Sequence, residues 1–152
     1  MGGLRQLINQ LWRSSENVAY RPPELYAVGA HDIFNIVGAV RILLLGGRQT
    51  GATVAGTTLT VAINGVATCA GAVDIGTGMI AGEVWVSPLN VAGAMLGAVG
   101  GLPLTDALLH PKGFLAGDSV GTIVATFAVD TWTGEIFCVY QKLTPAAQIT
   151  VA

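Results

Sequence analysis

Charge is scarce in this chain. Asp, Glu, Lys and Arg together make up 11% of its 152 residues, where a soluble domain of ordinary composition carries about 25%. The net charge is −2, and only two of the seven basic residues are lysines, Lys112 and Lys142. No basic cluster reaches the density of a nucleic-acid footprint, so no nucleic-acid partner is expected. Histidine is nearly absent, with only His31 and His110. The nine acids stand singly, without a D-x-D-x-D loop or a close carboxylate pair, so calcium and glycoside chemistry have no support. Cys69 and Cys138 are the only cysteines and form no C-x-x-C spacing, which removes zinc and dithiol readings. Cys138 alternates with Ile136 and Tyr140, as a packed free thiol would; a Cys69–Cys138 bridge is the other reading.

What is plentiful is apolar surface: 52% of the residues are hydrophobic, and 21 are glycine. One domain of this length holds a real core, and so apolar a chain must also meet lipid or other protein. From Val84 to Thr105 no charge occurs, and Gly93, Gly97 and Gly101 stand four apart, a spacing known from packed membrane helices. Pro88, Asn90 and Pro103 interrupt that stretch and no basic residues flank it. It reads as loops and strands, and no membrane partner is expected. The N-terminus lacks the pattern of a signal peptide.

Residues 1–30 read as an N-terminal arm, and residues 31–152 as a β domain. Leu4, Leu7, Ile8, Leu11 and Trp12 follow the spacing of a helix with one apolar stripe, with Arg13 on the polar side. Such a helix is too short to stand alone in water and should dock on the body, a second subunit or another protein. Arg21-Pro22-Pro23 must be extended, which suits a reaching segment rather than a core element. Five of the seven basic residues but only three of the nine acids fall in the first 48 positions, mild help for an arm lying on an acidic partner.

The β domain opens with the run from His31 to Arg48, interrupted by Gly38 and by Arg41 and stopped at Gly46-Gly47. Gly38 allows a bend. The solid Ile42-Leu43-Leu44-Leu45 run suggests cover on both faces. In Thr57–Asn64, Leu59, Val61 and Ile63 alternate with polar or small residues, and Asn64-Gly65 is a strong hairpin signal. Glu83–Ser87 is a further strand, with Trp85 in the core. Near the C-terminus, Ile123, Ala125, Phe127 and Val129 share a face, Asp130–Gly134 reads as a turn, and Glu135–Lys142 returns as the second arm of a hairpin, with Ile136, Cys138 and Tyr140 on one face and Phe137 and Val139 on the other. About eight short strands with frequent turns predict an all-β, antiparallel barrel or sandwich, jelly-roll-like in size.

No catalytic constellation emerges. Gly117-Asp118-Ser119 with His110 lacks a G-x-S-x-G elbow, and Asp118-Ser119 is a natural turn opening. The glycine-rich stretches lack the Lys-Ser/Thr of a phosphate loop. No enzyme activity and no cofactor are expected. Arg41 has two readings: an outward arginine on an edge or bent strand, or a buried or interface charge paired with an acid such as Asp32. Trp132, placed in a turn, is expected to be exposed in a lone subunit and to anchor an interface.

The order His31-x-Ile33-Phe34-x-Ile36-x-Gly38-x-Val40-Arg41-Ile42, followed by a Gly/Thr-rich turn and Thr57-Thr58-Leu59-Thr60-Val61, resembles small structural proteins of tailed-bacteriophage virions. The runs Leu115–Val120, Ala128–Ile136 and Tyr140–Pro145 are similar to the ending common in that group. The resemblance covers residues 31–150, and several such proteins look like capsid decoration (cement) proteins. It implies β-barrels or jelly rolls on the outer capsid surface, often trimeric homo-oligomers with an N-terminal arm reaching neighbours, and the major capsid protein as partner. Residues 1–30 of this chain depart from the shared region, so its own arm is read from the helical spacing and the proline segment above. The arm residues would then be Leu4, Leu7, Ile8, Leu11, Trp12, Arg13, Arg21, Pro22 and Pro23, with Arg41 and Trp132 as interface or structural residues of the barrel. A tail, neck or fibre-associated component, or a host-surface carbohydrate-binding module with Trp132 stacked on sugar, are the alternatives.

Overall fold

The computed structural model describes residues 16–51, 57–67, 73–75, 80–87, 96–97, 114–116 and 121–152. Every regular element among them is a strand: β1 (Glu16–Tyr26), β2 (Gly29–Val37), β3 (Val40–Gln49), β4 (Thr58–Ile63), β5 (Val66–Ala67), β6 (Val73–Asp74), β7 (Val84–Ser87), β8 (Leu96–Gly97), β9 (Phe114–Ala116), β10 (Gly121–Ala128), β11 (Trp132–Lys142) and β12 (Gln148–Val151). They form two antiparallel sheets. The first runs β1-β11-β3-β7-β8, with β9 also on β3; the second runs β12-β2-β10-β4-β5, with β6 also on β4. The all-β expectation holds. The sheets do not close into a barrel, so the architecture is a sandwich of two open sheets, built of more strands than the eight expected. The amphipathic stretch before Glu16, Cys69, His110 and Gly117-Asp118-Ser119 lie outside the described residues.

The chain repeatedly changes sheet. β1 lies in the first sheet, β2 in the second and β3 in the first again; β10 lies in the second and β11 in the first. Gly38 stands at the β2–β3 crossing with φ +71°, a conformation that glycine adopts without steric cost. The expected bend there is therefore a change of sheet. Asn64 and Gly65 both have positive φ (51° and 77°) between β4 and β5, as a two-residue primed turn requires. The Asn64 amide side chain also accepts a hydrogen bond from the Thr122 N–H at 3.0 Å, pinning the turn to β10.

Three readings need correction. Arg21-Pro22-Pro23 is extended as expected, but it does not reach away: it lies within Glu16–Tyr26, which pairs with β11 from Glu16↔Gln141 to Tyr26↔Trp132. Pro22 and Pro23 sit at an irregularity in that pairing, on a strand at the edge of its sheet, where a residue without an N–H is tolerated. Second, β10 and β11 do not form a hairpin. β10 pairs with β2 and β4, while β11 pairs with β1 and β3. The three residues between them carry the chain across the sandwich, with Val129 at φ +78° and exposed rather than on the buried face. Third, Gly46-Gly47 does not end β3, which continues to Gln49. A Cβ on Gly47 would lie 2.6 Å from the Trp85 ring, and one on Gly46 would lie 2.7 Å from the Trp85 carbonyl oxygen. These glycines mark close approach inside a strand.

The core lies between the sheets. Ile33, Phe34, Ile36, Leu59, Val61, Ile63, Ile123, Ala125 and Phe127 line it from the second sheet; Tyr26, Val40, Ile42, Leu45, Trp85, Trp132, Ile136, Cys138 and Tyr140 line it from the first. Two β-bulges explain buried positions that break strict alternation. Leu43 is skipped in the β3–β11 register, so Ile42 and Leu45 both face inward. Ile33 is skipped in the β2–β10 register, so Ile33 and Phe34 are both buried. Cys138 is a free, buried thiol, not bridged to Cys69, and burial pushes its pKa up to about 12.

Candidate interaction surfaces

An aromatic cluster fills one end of the sandwich. Tyr26 ends β1, Phe127 lies near the end of β10, and Trp132 begins β11. The Phe127 and Trp132 rings stack with centroids 5.5 Å apart, and Tyr26 stacks on Phe127 at 5.0 Å. Trp85 from β7 meets Trp132 edge-on at 6.2 Å, and His31 from β2 does the same to Tyr26 at 5.5 Å. Trp132 is 1% exposed, which overturns the expectation that it sits on a loop tip. The turn is shorter than the sequence suggests, and Trp132 is the first residue of β11, facing inward. Its indole cannot anchor an interface or stack on a sugar without unfolding this end of the molecule. The signal was present: Trp132 has the same strand parity as Ile136, Cys138 and Tyr140. Gly134, read as a turn residue, shares that parity because the indole covers it. A Cβ there would lie 2.3 Å from the Trp132 ring.

Arg21, expected on a free arm, is a clamp between the two sheets. Its Nη1 donates to the carbonyl oxygens of Asp32 (2.9 Å) and Ile33 (3.1 Å) at the β2 bulge, and to that of Ala152 at 3.4 Å. Its Nε and Nη2 donate to Glu24 Oε1 at 3.2 and 2.9 Å. The guanidinium carbon lies 5.8 Å from the centre of the Tyr26 ring, within cation–π range. Burial pushes the Tyr26 hydroxyl pKa well up; neighbouring Glu24 raises it further and Arg21 opposes. One side chain thus ties β1 of the first sheet to β2 and to the C-terminal residue.

Arg41 is not on an edge strand. β3 lies inside the first sheet, and Arg41 stands opposite Gln141 on β11 and Leu115 on β9. Its Nε is buried with no hydrogen-bond partner. Asp32, the partner considered for it, belongs to the other sheet and offers its carbonyl to Arg21 instead.

The alternation of β11 puts Phe137 and Val139 on the face opposite Ile136, Cys138 and Tyr140, as expected; what sequence reasoning missed is the continuous outer face of the first sheet to which they belong. Ala19, Cys138 and Ile136 point to the core, so their neighbours along the strands point out. Across β1, β11 and β3 the outward rows are Val18–Val139–Leu44 and Tyr20–Phe137–Gly46. Val18 is 65% exposed and Tyr20 47%; Phe137, Val139, Leu43 and Leu44 are partly exposed. An antiparallel sheet covered on one side ordinarily turns polar residues to water. Here the centre is apolar and the charges stand beside it. Glu135 Oε1 meets Arg48 Nε at 2.6 Å, and the Tyr20 hydroxyl donates to Glu135 Oε2 at 2.6 Å. The Tyr20 hydrogen bond, helped by Arg48, holds the Glu135 carboxyl below its ordinary pKa; the same bond raises that of Tyr20.

Among the described residues no group of three or more His, Cys, Asp or Glu side chains is placed to hold a metal ion, and no helix is long and apolar enough to cross a membrane. Set against known protein families, curated proteins and solved structures, the chain finds no match.

Proposed function

We propose that this protein is a non-enzymatic structural subunit of a tailed-bacteriophage virion. In this reading it is a capsid decoration (cement) protein that binds the major capsid protein on the outer surface of the head and assembles as a homo-oligomer. The observation that carries the reading is apolar surface turned outward on an otherwise well-packed sandwich. Val18, Tyr20 and Leu25 are exposed on β1, the strand that follows directly on the amphipathic Leu4–Trp12 stretch. Charged residues make up only 11% of the chain, so little of the surface is built to face water alone. The resemblance of residues 31–150 to phage virion proteins points the same way. A shell subunit needs many modest contacts rather than a reactive centre, and apolar burial at about 25 cal/mol per Å² supplies them.

The test is location and stoichiometry in purified particles. Labelling on intact heads and quantitation against the major capsid protein should give an outer-surface protein in comparable copy number. A few copies confined to one vertex or to the tail would assign it to the neck, tail or fibre, and absence from particles would remove the virion reading.

A further inference from the structure

We infer that the outer face of the β1–β11–β3 sheet is the surface on which a second copy of this chain docks, like face to like face. The inference deepens the homo-oligomer proposed above, but it stands on the geometry of this face and not on attachment to a capsid.

The face has the anatomy of an interface. Its centre is two adjacent rows, Val18–Val139–Leu44 and Tyr20–Phe137–Gly46, contributed by three neighbouring strands. Gly46 lets the Phe137 ring lie flat across β3: a Cβ there would come within 2.9 Å of that ring. Val86, the next residue in the second row, is buried, so the open part of the face is the β1 side, where Val18 and Tyr20 are most exposed. An apolar centre with polar margins distinguishes recognition surfaces from scattered surface apolars.

Charge selects the occupant. A like-to-like contact places the same surface on both partners, so that surface must carry both signs in balance. One margin holds Arg48 and Glu135, already paired with each other, and the other holds Glu16 opposite Gln141 and Arg41. Each margin therefore carries one charge of each sign. A strongly acidic or basic partner would find no complementary field here, whereas a second copy meets a surface that matches its own.

The purified full-length chain, without particles, tests this by sedimentation equilibrium. The wild type should contain two copies. Val18→Glu, on an exposed edge-strand position, and Leu44→Glu, on a different strand, should each weaken association at least tenfold. Val28→Glu makes the same change at an exposed valine in the β1–β2 turn, off this face, and should leave association unchanged. Circular dichroism and thermal melting confirm that each variant is folded, and the two face variants serve as independent readings. A wild type that stays monomeric at high concentration overturns the inference, as does a three-copy assembly or any assembly indifferent to both face variants. A monomer that needs Val18 to bind phage shells would assign the face to the capsid protein and overturn it too. The oligomer measurements leave the virion location untouched, since that is read on particles.

Discussion

Trp132 shows how one side chain can hold an end of a sandwich. Its indole stacks on Phe127, meets Trp85 edge-on and lies over Gly134. Trp132→Ala should therefore cost about 3–5 kcal/mol of unfolding free energy, the usual range for emptying so large a core site, measured by urea denaturation; a cost below 1 kcal/mol would contradict the packing. Gly134→Ala should destabilise by about 1–3 kcal/mol, the range for forced overpacking, because its Cβ has nowhere to go. Val129 should behave in the opposite sense. A β-branched residue at φ +78° is strained, and Val129 is 73% exposed, so little packing is lost on replacing it. Val129→Asn should stabilise by about 1 kcal/mol, the scale of the left-handed penalty. Composition could not reveal any of this. Trp132 and Gly134 were legible as strand residues only by carrying the parity of Ile136, Cys138 and Tyr140 backwards through a stretch rich in turn formers.

At the scale of elements, β1 is the informative strand. Its pairing with β11 is long, but it is an edge, and two prolines interrupt it. Arg21 compensates by bonding across to β2 and the C-terminus. Arg21→Gln keeps a polar side chain but loses the charge and the fork that reaches three carbonyls and Glu24 together. Hydrogen bonds from charged groups contribute about 1.5–3 kcal/mol each at most, so a net loss of about 1–3 kcal/mol is expected. Hydrogen exchange should speed up first in β1 and β12, and uniform exchange across both sheets would refute a local clamp. The Tyr20–Glu135–Arg48 group adds a pH dependence. Glu135 has a lowered folded-state pKa, so its contribution is present above the ordinary carboxylate range and lost as pH falls through the folded value. Tyr20 has a raised one, so its contribution is present below the ordinary phenol range and lost as pH rises through the folded value. Glu135→Gln should flatten both flanks of the stability–pH curve, and an unchanged acid flank would count against the carboxylate's role. The strands with clean alternation, β4, β10 and β11, were legible in sequence, as was the Asn64-Gly65 turn. β1 was not, because its inward residues change parity across the prolines, from Ala19 to Tyr26. Nor was the outer apolar face: a bulge at Leu43 makes Ile42 and Leu45 core and Leu44 surface, while the bare run of four apolar residues suggests equal cover throughout.

At the scale of the whole molecule, the division between arm and body moves. The proline segment belongs to the sandwich, so of the residues expected in an arm only Leu4, Leu7, Ile8, Leu11, Trp12 and Arg13 precede the first strand. Two truncations separate the roles. Removing residues 1–15 leaves β1 intact from Glu16, and the sandwich should melt within a few degrees of the full chain. Removing residues 1–20 also deletes Ala19 from the core, the Tyr20–Glu135 hydrogen bond and the pairing of Glu16–Tyr20 with β11. That loss uncovers one side of β11 and should lower the melting temperature by at least about 5 °C, since 1 kcal/mol corresponds to roughly 2–8 °C for a domain in this size range. On capsid shells, the shorter truncation should be the decisive one. If the amphipathic stretch reaches the major capsid protein, the 1–15 deletion binds shells at least tenfold more weakly while remaining folded, because apolar burial from Leu4 to Trp12 is lost without any change in the sandwich. Undiminished binding by that folded variant would strip the stretch of its role in attachment.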